Sequence, residues 1–170
     1  MPNTGIETAR TRCVSRPVRS VSLVSLQLGD VDEDTVSFSI LNDGTIFGRG
    51  KAMASGTTAC LRVFAGAANV TNNGDITNSG TITSEGGSAI VIEGVSYTGT
   101  ITNSGSLAGP AAFDASAALG AIDFANSGTL NGDFIGSSFA DTLSPQDAST
   151  LAGSIEGHSH DSFVRTRLNF

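Results

Sequence analysis

The sequence predicts an all-β chain wound as a parallel β-helix. Three observations lead there. A short turn motif recurs every few tens of residues, and short apolar strands lie between its copies. The composition is also too poor in large and charged side chains for a thick globular core. Aromatic residues make up 6% and charged residues 15%, Trp is absent and Tyr occurs once. An average globular domain carries about 25% charged residues. Gly, Ser, Thr, Asn and Ala fill the difference, and they suit a thin core of stacked Ile, Val, Leu and Phe.

Residues 1–19 are expected to be an irregular basic tail. They carry Arg10, Arg12, Arg16 and Arg19 without apolar periodicity, as in a solvated terminus. Residues 20–40 alternate in the manner of strands. Val21, Leu23, Leu26 and Leu28 mark one strand. Val36, Phe38 and Ile40 mark a second, with the acidic turn 29–34 between them. Their position predicts a cap over the N-terminal end of the helix.

Residues 41–164 form the repetitive body. The pattern Asn-x-Gly-polar-aliphatic begins at Asn42, Asn72, Asn78, Asn103 and Asn126. The steps from Asn78 to Asn103 and on to Asn126 are 25 and 23 residues, and Asn42 and Asn72 lie 30 apart. A second element runs small residues into a short apolar strand, at 58–64, 88–92 and 118–124. Self-similarity at such a period indicates a solenoid. Helical repeats need long 3.6-period stripes and good helix formers, and this body has neither. Leucine-rich repeats need a ladder of leucines, also missing. Short strands joined by tight turns remain.

In the motif, Gly is expected to supply a positive φ, and Asn to tolerate the left-handed region and bond its own turn. Asn side chains stacked coil on coil would bond one another. The aliphatic residue points inward. The expected core is Ile76, Ile82, Ile90, Ile92, Ile101, Leu107, Ile122 and Leu130. Coils of about 22–30 residues give about five rungs, a rod roughly 25 Å long. The last segment, 165–170, continues an alternation in which Arg165 and Arg167 flank Thr166. That is weak cover for an open solenoid end, so self-association through that end is expected.

Charge narrows the partners. The net charge is −7, and residues 21–164 hold 15 acidic residues against Arg49, Lys51 and Arg62. Nucleic acid is excluded, because phosphate neutralisation needs Lys and Arg. No apolar run reaches the length of a membrane span, and the N-terminus lacks the unbroken apolar stretch of a signal peptide. Cys13 and Cys60 are read as free or buried thiols, with pairing left open.

Runs such as NNGDITNSGTITSEGGSAIVIEG, GTITNSGSLAG and FANSGTLNGDFIGSSFADTLSPQDASTLAGSIEG resemble the passenger domains of bacterial autotransporters. The resemblance covers about residues 41–164. It implies a right-handed parallel β-helix, export across the outer membrane, display at the cell surface and a C-terminal membrane barrel. Neither a signal peptide nor a barrel is visible here, so the chain is expected to be a fragment or a degenerate reading frame. The function expected is a non-catalytic structural or adhesive module, meeting a host or surface ligand of unknown identity. The alternative is a polysaccharide-active lyase or hydrolase on the same fold.

Specific chemistry is sparse. The stretch 136–144 places Gly136, Asp141 and Leu143 as a calcium-binding β-roll unit would, and 156–164 repeats this weakly around Asp161. Both lack most of the glycines of such units, so ordinary turns with solvated Asp are the favoured reading. His158, His160 and Asp161 could together bind a metal, but no further ligand is evident. Asp114, Asp123 and Asp133 could lie near one another on successive rungs, as a carboxylate pair for glycoside chemistry would. Nothing marks them, and Tyr97 alone is no sugar-stacking platform. The glycines of 44–50 lack the Gly-Lys-Ser/Thr end of a phosphate loop. No catalytic, cofactor or metal residue is assigned.

Overall fold

The computed structural model describes residues 24–28, 35–36, 39–48, 59–65, 71–157 and 161–163. Among them there are strands and turns but no helix. Every strand pair is parallel, and partners lie one coil apart in sequence. That is the topology of a parallel β-solenoid, as the repeat predicts. Over the unbroken stretch 71–157 the chain winds about 4 turns, where the sequence suggested about five rungs for 41–164.

One coil shows the plan. Strand Ile76–Asn78 ends at the Asn-x-Gly corner, and the chain continues as Thr81–Ser84. A glycine turn leads into Ser88–Glu93, and Gly94 turns the chain into Ser96–Tyr97. The next coil begins at Thr100–Asn103, directly paired with Ile76–Asn78. The strands that enter the Asn corner build a six-stranded sheet, here called the anchor sheet. The two strands after the corner belong to a nine-stranded sheet with two arms. Ser106–Ala117 and Thr129–Ile135 run through both arms, and their pairing slips between Ala108 and Ala111. A three-stranded sheet closes the earliest coils with Thr35–Val36, Thr71–Asn72 and Ser96–Tyr97.

The coils shorten along the chain. Equivalent residues are 36, 25 and 23 apart at Asn42, Asn78, Asn103 and Asn126. They are 19 and then 20 apart at Ile122, Asp141 and Asp161. Most of the first loss falls between Gly48 and Ala59, where ten residues become the three between Ser84 and Ser88. On the third face Leu119 N–H donates to Val95 O and Gly120 lies on Ser96, so a loop replaces the strand.

All eight residues expected inside are buried, each at 2% exposure or less. They stack in columns. One runs Ile46, Ile82, Leu107, Leu130 and Leu151, and another Ile40, Ile76, Ile101, Phe124 and Leu143. Alternation along each strand sends these side chains inward and their neighbours out. The core also holds three large side chains that the inward set did not include. Phe113, Phe124 and Phe134 are fully buried, with ring centroids 4.9, 5.1 and 5.3 Å apart. Tyr97 is buried as well, its hydroxyl donating to Gly74 O at 2.6 Å.

Three expectations need correction. Asn72 does not stack on Asn42; it sits in the three-stranded sheet, and Asn42 stacks on Asn78, so the first step is 36 residues rather than 30. The strand expected over Val36, Phe38 and Ile40 is two strands on different faces, Thr35–Val36 and Ile40–Asn42. The strand expected over Val21–Leu28 is described from Val24 to Leu28, where it extends the nine-stranded sheet in parallel against Ala59–Ala65. The motif glycines do not have positive φ; among the described glycines only Gly94 and Gly132 do. Residues 1–19, 29–34 and 165–170, including Cys13, lie outside the described residues, as do His158, His160 and the side chain of Cys60.

Candidate functional site

The feature built most regularly from the repeat is the corner after the anchor sheet. The four buried side chains Asn42, Asn78, Asn103 and Asn126 form a continuous ladder. Each Nδ2 donates to the Oδ1 of the next coil, at 2.7, 2.7 and 2.8 Å. All the amides therefore point the same way, and such chains polarise one another. The remaining amide hydrogen faces the carbonyl two residues on, as from Asn126 to Gly128 O at 3.2 Å. The backbone completes the corner, with Gly80, Gly105 and Gly128 N–H donating to the Asn carbonyl one coil earlier.

Glycine is required here by close approach rather than by φ. A Cβ on Gly80, Gly105 or Gly128 would overlap the carbonyl oxygen of Gly44, Gly80 or Gly105 beneath it. A Cβ would likewise overlap at Gly153 over Gly132 and at Gly132 over Gly109, where a positive φ also favours glycine. Identical residues recur at these corners because each is the floor for the next.

The ladder stops where the sequence changes. The position above Asn126 is Pro145, which has neither a side-chain amide nor an N–H. Gln146 N–H takes over the bond to Asn126 O, at 2.6 Å. From this point carboxylates join coil to coil. Asp141, at 1% exposure, accepts from Ile122 N–H at 2.8 Å and from the Ser137 hydroxyl at 2.6 Å through Oδ1. Its Oδ2 accepts from Ser137 N–H. Gly136 must lack a side chain, since a Cβ there would come within 2.6 Å of that oxygen. One coil on, Asp161 Oδ1 accepts from Asp141 N–H at 3.0 Å. On the other sheet Asp133 Oδ1 accepts from both N–H and hydroxyl of Ser154 at 2.8 Å. The two Ser154 donors hold the Asp133 carboxyl below the usual carboxylate range.

These contacts locate the sequence candidates. Both Asp141 oxygens are occupied by donors, so the residue cements a turn rather than lying solvated. Asp141 and Asp161 share a column, but no group of three metal-ligating side chains occurs among the described residues. Asp114, Asp123 and Asp133 do not converge. Asp123 lies on the anchor sheet, while Asp133 pairs with Ala111 and Asp114 with Ile135. Asp114 accepts from Ser116 N–H and Oγ. Tyr97 is interior, and burial, then the charge of Asp75, pushes its phenol well above the ordinary value. In the early coils Arg62 forks onto Glu93 at 2.7 and 3.0 Å.

The outer surface is plain. A column of hydroxyls, Thr45, Thr81, Ser106, Thr129 and Thr150, runs along the nine-stranded sheet. Exposed large apolar side chains are scattered, at Leu41, Leu119, Phe139 and Ile155. Comparisons with protein-family models, with curated proteins and with solved structures give no match to this chain.

Proposed function

We propose that the chain is a non-catalytic, stiff module of an autotransporter-like passenger, structural or adhesive at the cell surface. The observation that carries this reading is what the polar side chains do. The buried amides, and most of the carboxylates that sequence reasoning set aside as candidates, bond adjacent coils. Such a body supplies length and rigidity, because each coil is held by its neighbours. The right-handed winding follows the usual hand of parallel β connections. The acidic body disfavours nucleic acid, and the partner is a host or surface ligand met by the outer faces.

Adhesion is tested with beads carrying the chain, passed over host cell layers under flow. Retention above beads carrying an inert protein is expected, and equal retention overturns the adhesive part. Incubation with pectin-like polysaccharides tests the catalytic alternative; turnover that disappears in Asp123→Asn would replace this proposal. An upstream signal peptide or a downstream barrel in the flanking DNA is the corresponding test of surface display. Self-association through the open end predicts a mass that rises with concentration in light scattering, and a clean monomer at high concentration rules it out.

A further inference from the structure

We propose that Asn73 and Gly74 form a latent self-modification site. The fold holds it silent through Asn72 and Tyr97, and when that corner opens Asn73 converts to aspartate and isoaspartate.

The middle residue of the corner sets it apart. Along the ladder that residue is Asp43, then Ser79, Ser104 and Ser127. The three hydroxyls donate to the Asn carbonyl one coil earlier, at 3.3–3.4 Å. The corner of the three-stranded sheet has Asn73 instead, an exposed side chain followed by glycine. Asparagine is a chemically labile residue, and a following glycine has no Cβ to hinder approach to its nitrogen. Gly74 N attacks Asn73 Cγ. That bond forms, the Cγ–Nδ2 bond breaks, and ammonia leaves with the equivalent of the hydrogen that Gly74 N gives up. Water then opens the cyclic imide. Cleavage of the Gly74 N–Cγ bond gives aspartate. Cleavage of the bond from Gly74 N to the Asn73 main-chain carbonyl gives isoaspartate, whose backbone is longer by a methylene.

The intact coil opposes this reaction on both sides of Gly74, which is buried. Its N–H donates to Oδ1 of the fully buried Asn72 at 3.1 Å. Its carbonyl accepts from the Tyr97 hydroxyl at 2.6 Å and lies so close beneath Gly99 that a Cβ there would overlap it. Attack requires the hydrogen to leave and the peptide to swing about the Asn73 Cα–C bond until its nitrogen meets Cγ. Both movements break those contacts, so closure waits on local opening of the coil. Afterwards the longer backbone of isoaspartate keeps the carbonyl from returning to Tyr97 and Gly99. The corner therefore marks, in one direction, each chain whose early coil has opened.

Asn131 also precedes a glycine, but it lies in a strand paired on both sides, at Ala108 and Ala152. Imide closure turns the Asn backbone away from the extended form, so Asn131 reports on the fold as a whole. The full chain is kept in mildly alkaline buffer, and mass spectrometry follows the peptides holding Asn73 and Asn131, with isoaspartate resolved by enzymatic methylation. Asn73 in the folded parent is expected to react at least about tenfold more slowly than in the same chain in urea. Tyr97→Phe removes only the hydroxyl and should speed Asn73 about five- to tenfold in buffer, with Asn131 unchanged. Asn72→Ala should do the same by freeing Gly74 N–H. Equal rates at Asn73 in buffer and in urea overturn the proposal. So does the lack, in both variants, of an acceleration confined to Asn73.

Discussion

Between Asn42 and Asn126 each coil is tied to the next by one buried, neutral amide. Beyond Asn126 the ties are carboxylates on backbone N–H groups. The core changes near the same point. The first coils are filled by aliphatic residues such as Ile46, Leu61, Val63, Ile82 and Ile90. Phe113 and Phe124 in the last ladder coil, with Phe134 just beyond it, form the aromatic cluster. The pairing has a physical basis. An amide ladder needs the same residue above and below it, and Pro145 ends that condition. A carboxylate has two free acceptor edges and bonds backbone whatever the next residue is. The identical ladder gives regularity, and the carboxylate ties tolerate change in coil length.

The largest effect should come from the aromatic cluster. Phe124→Ala removes a ring that touches two others, and about 3–5 kcal/mol should be lost in denaturant unfolding. Ile82→Ala in the early coils should cost about 2–5 kcal/mol. If Phe124→Ala proves the milder of the two, the coils on either side of Asn126 do not depend on their aromatic filling. Next comes Asn103→Ala, which leaves one hydrogen of Asn78 Nδ2 without its acceptor, while Asn126 Oδ1 keeps Gly128 N–H at 3.3 Å. About 1–3 kcal/mol per orphaned group is expected, and an unchanged unfolding midpoint would reduce the ladder to ornament.

Tyr97 reports on the early coils under alkali. It is the only tyrosine and Trp is absent, so tyrosinate absorbance has one source. Its phenol is raised in the fold, so stability holds below the ordinary phenol value and falls as pH rises beyond it. Ionisation should therefore coincide with loss of the circular dichroism of the strands; ionisation in a still folded chain would contradict the burial. The smallest effect is at Ala148, whose φ of 71° lies in the left-handed region, in the turn where the ladder has ended. Ala148→Gly should raise stability by about 1 kcal/mol in the same unfolding assay, and a loss would mean the turn is not strained.

The ladder was legible in the sequence because identical stacking forces the same letters into every coil. Its inward aliphatic residues were legible for the same reason. Asn72 was misleading: the same Asn-x-Gly letters serve a different corner, where Asn72 Oδ1 accepts from Gly74 N–H. Phe113 and Phe134 escaped because they lie on strands where the pairing slips, so the two-residue alternation breaks between Ala108 and Phe113. The roles of Asp141 and Asp133 were hidden, since an acceptor of backbone N–H groups needs no particular residue opposite it. An Asp in a glycine- and serine-rich turn reads as solvated until the coil beneath it is known. The recurrence of Asp141 and Asp161 twenty residues apart was the one visible trace.

The glycine and asparagine corners make the coil a unit that can be cut out and rejoined. Removal of residues 104–126, the 23-residue step between Asn103 and Asn126, would place Asn103 directly before Ser127, Gly128 and Thr129. The spliced corner reads Asn-Ser-Gly, as before. The carbonyl under Gly128 becomes that of Gly80, and Asn78 still meets an amide above it. At this corner the splice thus restores contacts that whole coils already make with one another.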